Sequence, residues 1–457
     1  MKTFINERQI DDLLRLGKKA SRQQAIRVIE KALQLKGLTP AEVAILLANK
    51  DKKVAARLFK AARRVKEAIY GKRLVLFAPL YTTNFCVNNC LYCGFRSGNT
   101  MLNRRRLSTK EIKSEVKLLV KQGHKRILLV AGEDPKTANI DFLEKAIKAV
   151  YSTKVGKGEI RRLNVNVAPM SVAEFARLKN AGIGTFQLFQ ETYHLPTYKI
   201  MHVQGPKTDY RYRLYGMHRA MEAGIDDVGI GVLFGLYDYK FEVLSLLFHA
   251  LDLERQFGVG PHTISVPRIE PAVGAPLSLN PPFAVSDDDF KKVVAILRLA
   301  VPYTGIILST RESARLRNEL FALGISQISA GSRTNPGGYK AGKANAQQFS
   351  LHDDRSLLQV IKDIAQMGYS PSFCTACYRL GRVGHDFMDL AKPGLIKSYC
   401  LPNSLLTFQE YLLDYGDKEA KRLGKKVIAR HLAGVKNKKL LLSKLKQLAA
   451  GKRDLYY

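Results

Sequence analysis

The chain opens with a helical period. Through residue 70, apolar positions recur at helical spacing among Lys and Arg, and Thr39, Pro40 and Glu42 supply an N-cap, a first-turn proline and a capping-box glutamate ahead of an apolar face. From Arg73 the pattern changes to short apolar runs that alternate with amphipathic stretches. The runs are 74–80, 126–132, 163–169, 184–190, 227–235, 262–267, 305–310 and 326–331. Ser108 with Glu111, Ser171 with Glu174 and Ser286 with Asp289 open the helices between them. Strands that alternate with helices form a parallel sheet, and eight such units predict a closed (β/α)8 barrel of the α/β class. The expected division is a helical extension over 1–70, the barrel over 71–345 and a helix-rich C-terminal domain with a basic tail over 346–457.

In a barrel of this kind the chemistry sits at the carboxyl ends of the strands. The first run leads into YTTNFCVNNCLYCGF, the second into GEDP, the fourth into ETYH, the seventh into RES and the eighth into SRTNPGG. Six cysteines in 457 residues are too few for a disulfide scaffold, and all six fall into two tight sets, which points to metal. The net charge of +34 would suit nucleic acid, but the excess is spread over the chain, densest before Arg73 and after Lys418, and reads as solvated surface charge, with an acidic partner as the alternative. No run of apolar residues is long enough to span a membrane and the first residues lack the apolar core of a signal peptide, so a cytoplasmic protein is expected.

Cys86, Cys90 and Cys93 form C-x3-C-x2-C directly after a strand. Three thiolates can hold three irons of a four-iron cluster and leave the fourth open, whereas structural zinc normally takes four protein ligands. The loop, with Tyr92 before its third cysteine, resembles the signature of the radical S-adenosylmethionine superfamily. That resemblance implies a [4Fe-4S] cluster whose open iron is chelated by S-adenosylmethionine, with Tyr92 against the adenine. Gly132 and Glu133 resemble the family's Gly-Gly-Glu segment, which contacts the methionine amino group, with Ala131 in place of the first glycine. Gly231, in GIGVLFG, resembles the glycine-bearing fifth strand that flanks adenine.

Cys374, Cys377 and Cys400 form C-x2-C-x22-C, again three thiolates; a zinc site completed by His385 is the structural alternative. The pairing of this triad with the first loop resembles the tyrosine-lyase maturases of [FeFe]-hydrogenase over about residues 70–415, through VGPHTISVPRIEPA, ILSTRE, QISAGSRTNPGGY and CYRLGRVGHDFMDLAKPG. The tyrosine lyase of thiamine biosynthesis shares the barrel and first cluster but lacks the terminal triad. The resemblance implies that L-tyrosine is cut at Cα–Cβ to p-cresol and dehydroglycine, and that dehydroglycine gives carbon monoxide and cyanide captured on iron. It further implies an auxiliary [4Fe-4S] cluster with a labile iron on His262, bridged by free L-cysteine. Its partners would be an electron donor such as reduced ferredoxin or flavodoxin and the other hydrogenase maturases.

An amino acid substrate needs its carboxylate held by a paired, hydrogen-bonded partner. Arg311 with Ser309, at the end of the seventh run, is the first choice for that clamp; Arg333 with Ser332, after the eighth, is the second. The alternatives are a thiamine-type tyrosine lyase, a radical enzyme acting on RNA, and a metal-stabilised binding module.

Overall fold

In the computed structural model, which describes residues 3–341 and 347–457, the eight runs become eight parallel strands. They are β1 (Arg73–Thr83), β2 (Arg126–Ala131), β3 (Arg162–Asn166), β4 (Phe186–Gln187), β5 (Val228–Gly231), β6 (Thr263–Ser265), β7 (Gly305–Leu308) and β8 (Ile325–Ser329). Each pairs with its successor, and β8 returns onto β1 with Leu76 opposite Ile328, closing the barrel. β1 is buried along all eleven residues, because helices cover its outer face and side chains fill the barrel behind it. The expected caps are formed: Thr39, Ser108 and Ser171 each close a box with a glutamate three residues on, and Ser286 accepts from the Asp289 amide.

β4 is shorter than its apolar run, but its backbone keeps to the sheet: the amides of Leu188 and Gln190 donate to the carbonyls of Gly229 and Gly231. Ahead of the barrel stand four helices, α1 (Glu7–Gly17), α2 (Arg22–Ala32), α3 (Pro40–Ala48) and α4 (Lys52–Tyr70). The expected boundary at 345/346 lies outside the described residues.

Beyond the barrel, β9 (Ser370–Ser372) pairs in parallel with the start of β1, Arg73 opposite Ser370 and Val75 opposite Ser372. Pro371 fits this edge position, where one ladder face needs no amide. The helix Lys397–Tyr415 carries Cys400 and, further along, Glu410. Glu410 takes Lys125 at 2.7 Å and Arg161 at 2.5 Å, all three side chains almost wholly buried. Lys125 and Arg161 immediately precede β2 and β3, so this ion triad bolts the Cys400 helix under the barrel. In the tail helices Lys418–Leu432 and Lys438–Ala449, lysines 425, 426, 438, 439 and 446 are exposed. Among the described residues no helix is long and apolar enough to cross a membrane.

Candidate functional sites at the two ends of the barrel

At the carboxyl end, β1 runs out at Thr83 and the cysteine loop folds over the barrel mouth. The Val87 amide donates to the Glu133 carbonyl at 2.8 Å, and Asn88 Nδ2 donates to the Glu133 carboxylate at 2.6 Å, so the loop is sewn to the end of β2. Cys86, Cys90 and Cys93 rim one cleft of about 100 Å³ together with Gly132 and Glu133. Burial, opposed by Lys207 and reinforced by Cys93 and Cys86, pushes the Cys90 thiol up to about 12. Burial and Cys86 likewise raise Cys93. Crowded buried thiols of this kind ionise only against a cation, which is what bound iron provides. The donor set fits a cluster at this position.

Gly132 is needed for the closeness of that seam: a Cβ there would stand 2.3 Å from the Phe85 carbonyl oxygen. At Gly231 a Cβ would meet the Phe189 ring at 2.8 Å and the Ser265 carbonyl oxygen at 2.9 Å. Tyr92 is buried, with its hydroxyl 2.8 Å from His202 Nε2. His202 Nδ1 lies 2.8 Å from the Tyr198 carbonyl, so Nδ1–H donates there and Nε2 accepts from Tyr92. Burial holds this imidazole neutral, its pKa well below the usual value.

Beside the cleft, inside the barrel, lies a cavity of about 170 Å³ whose wall includes Tyr92, Cys93, Ser309, Arg311 and Ser332. Arg311 Nη1 donates to the Arg268 carbonyl at 3.2 Å, and its guanidinium lies 3.3 Å from the centre of the Phe349 ring. Arg333 does not line this cavity: its Nη1 turns back to the Ser332 carbonyl at 2.9 Å. Of the two expected clamps, only the Arg311 pair and Ser332 therefore face the space where a substrate fits.

At the amino end of the barrel, Cys374, Cys377, Cys400 and His262 surround a cavity of about 60 Å³. β9 delivers Cys374 and Cys377, the long helix delivers Cys400, and His262 heads β6, its amide bonded to the Val228 carbonyl at 2.9 Å. His385, the zinc alternative, is not in this wall and packs against Gly258. Burial, reinforced by Cys400 and Cys374, pushes the Cys377 thiol up to about 12, and burial with Cys400 raises Cys374 against the pull of Arg73 and Arg126. The same argument for a metal cation applies. Burial lowers the His262 pKa, opposed by Asp227 at 3.4 Å, so the imidazole is neutral. Among the described residues no three Cys, His, Asp or Glu side chains close on one point as ligands of a single ion would; these thiols rim cavities instead.

Several residues of these sites carry no signal in the sequence. His202 and Lys207 reach the upper site from the helical region after β4, where Lys207 pairs at 2.6 Å with Glu191, which opens the ETYH that follows the fourth run. Arg73 and Arg126 stand at the amino ends of their strands, where a barrel reading expects no chemistry. Asn88 could have been found, since it lies within the cysteine loop itself.

Residues 80–247 match the family described as the Radical SAM superfamily, and residues 265–370 the Biotin and Thiamin Synthesis associated domain. The chain is 32% identical over 377 residues to 2-iminoacetate synthase of Escherichia coli (strain K12), across 81% of this chain and 96% of that enzyme. Among solved structures it is similar to HydG, a maturase of the [FeFe]-hydrogenase, with a TM-score of 0.97 and 51% identity over 99% of this chain and 100% of that one. It is also similar to the maturase HydG from Carboxydothermus hydrogenoformans, with a TM-score of 0.86 and 42% identity over 97% of each.

Proposed function

Because the chain belongs to the radical S-adenosylmethionine family of HydG-type [FeFe]-hydrogenase maturases, we propose that it is a tyrosine lyase that makes the carbon monoxide and cyanide of the hydrogenase cofactor. L-Tyrosine is cut at Cα–Cβ to p-cresol and dehydroglycine, and dehydroglycine passes to the other end of the barrel to be converted there. The observation that carries this reading is the pair of cysteine triads at opposite ends of one barrel, the upper beside an amino-acid-sized cavity and the lower facing a half-buried, neutral histidine.

Cys86, Cys90 and Cys93 would hold the [4Fe-4S] cluster. With S-adenosylmethionine bound, it supplies the deoxyadenosyl radical chemistry that removes a hydrogen from the tyrosine amino group. Glu133, fixed by Asn88, accepts the methionine ammonium; Tyr92, fixed by His202, lies against the adenine, and Gly231 leaves room on the strand beside it. Arg311 grips the tyrosine carboxylate with its fork and Ser309 donates alongside, while the apolar part of the cavity wall excludes water from the reacting carbon. Arg333 contributes no group to that wall.

Cys374, Cys377 and Cys400 would hold an auxiliary [4Fe-4S] cluster, which with free L-cysteine would supply the site for a labile iron to take up carbon monoxide and cyanide. His262, in the wall of the same cavity, would hold that iron through a neutral, exchangeable nitrogen. A one-electron donor such as reduced ferredoxin or flavodoxin serves the upper site, and the other hydrogenase maturases receive the product. The thiamine-type tyrosine lyase is the second reading, favoured by the match to 2-iminoacetate synthase and opposed by the lower triad.

The test is anaerobic turnover with tyrosine and S-adenosylmethionine, assayed for p-cresol, deoxyadenosine and carbon monoxide. All three are expected. No p-cresol would sink the lyase, and p-cresol without carbon monoxide would move the protein to the thiamine-type reaction.

A further inference from the structure

The chain that leaves the upper cysteine loop doubles back on it, and one side chain ties the two stems together. Arg104 Nη1 donates to the carbonyl oxygens of Asn84 at 2.6 Å and Phe95 at 2.7 Å. Its Nη2 donates to the carbonyl of Arg96 at 2.5 Å and, more weakly, to that of Asn99 at 3.4 Å. Asn84 precedes Cys86 and Phe95 follows Cys93, so the guanidinium spans the neck of the loop that carries all three thiols. Asn84 is pinned to the same returning segment: its Nδ2 donates to the Asn103 carbonyl at 2.8 Å and its Oδ1 accepts from the Arg105 amide at 2.6 Å.

All four acceptors of Arg104 are neutral carbonyls, so its charge is not spent on a carboxylate. Arg104 and Cys86 share the wall of an open cleft on the outer face of the loop, so the guanidinium charge stands beside the cysteines that would hold the cluster. A planar fork with five donors can bridge carbonyls from two stems; a lysine ammonium keeps the charge but cannot span them.

We propose that Arg104 is a positioning residue for the upper cluster: its fork clasps the neck of the cysteine loop, and its charge makes the cluster easier to reduce. This rests on the reading that Cys86, Cys90 and Cys93 hold a cluster. It does not depend on what the substrate is.

The test compares wild type, Arg104→Lys and Arg104→Gln, each full-length and anaerobically reconstituted. Two quantities are read: the reduced fraction of the upper cluster at a fixed poise, from the electron paramagnetic resonance signal that S-adenosylmethionine shifts, and the rate of iron release to a chelator. In Arg104→Gln the ratio of reduced to oxidised cluster is expected to fall about tenfold, which is 59 mV for a one-electron couple, and iron release to quicken. In Arg104→Lys the ratio should stay within about twofold of wild type while iron release still quickens. An unchanged ratio in Arg104→Gln overturns the proposal, as does equal iron release in all three proteins. If Arg104→Gln takes up no upper cluster, Arg104→Lys decides: release at the wild-type rate overturns the clasp. A wild-type chain that assembles no signal responsive to S-adenosylmethionine would instead sink the cluster assignment itself.

Discussion

Gly132 and Phe85 approach so closely that a Cβ on the glycine would sit 2.3 Å from the phenylalanine carbonyl oxygen. The end of β2 and the cysteine loop thus meet backbone to backbone, and neither can yield without moving a thiol.

Gly132→Ala should therefore push the loop away from β2 and break the bonds from Val87 and Asn88 to Glu133. Overpacking of this kind costs about 1–3 kcal/mol. The expected outcome is weaker S-adenosylmethionine binding, at least tenfold by equilibrium titration, with a fall in thermal midpoint. Unchanged affinity would show that the loop gives way at no cost.

Arg311→Lys should weaken tyrosine binding more than S-adenosylmethionine binding, because an ammonium cannot reproduce the fork that fixes a carboxylate. A loss of about 2 kcal/mol, or some thirtyfold in tyrosine affinity, is the scale for a charge-assisted pair. Tyrosine-independent cleavage of the cofactor should persist. Equal affinity for tyrosine in variant and wild type would take the clamp away from Arg311.

His262→Ala separates the two ends of the barrel. Formation of p-cresol should stay near wild type, while the iron-bound carbonyl and cyanide stretches in the infrared spectrum of the same sample should fall sharply. Added imidazole should restore part of that signal, since the ligand is exchangeable. Normal infrared bands in the variant would reduce His262 to a structural residue.

The ion triad under the barrel gives a pH dependence. Burial alone would raise the Glu410 pKa, but the Arg161 hydrogen bond and the charges of Lys125 and Arg161 hold it down to about 2, from an ordinary 4.5. A folded value below the unfolded one means that the stabilisation is fully present above about pH 4.5 and is lost as pH falls through about 2. Glu410→Gln, which leaves buried Lys125 without its carboxylate and Arg161 with Asp454 alone, at 3.1 Å, should cost about 3–5 kcal/mol at neutral pH and flatten this acid limb. Chemical denaturation at several pH values reads both effects; an acid limb as steep as wild type would remove Glu410 from the account.

The barrel was legible because its strands are continuous apolar runs between well-capped helices, and a strand buried on both faces needs that composition. Ser370–Ser372 escaped, since three residues with a central proline carry no apolar period and gain their place only by pairing with β1. The cysteines and the cavity arginine could be read from spacing and from their positions after strands. Tyr92's partner His202 could not, because that contact joins residues 110 apart through a loop whose path no local pattern fixes. Arg333 shows the limit in the other direction: it follows a strand as Arg311 does, yet its side chain turns back to the Ser332 carbonyl.

β1 links the two cysteine triads, pairing at its start with β9 beside Cys374 and ending at Thr83 just before Cys86. Its eleven residues, at a rise of about 3.3 Å each, make a rigid spacer of about 33 Å. Unit charges that far apart, at an effective dielectric of about 20, interact by only about 0.5 kcal/mol. Clusters held by the two cysteine triads would thus be nearly insulated from each other electrically, and loading or emptying the lower one would barely alter how readily the upper one accepts an electron.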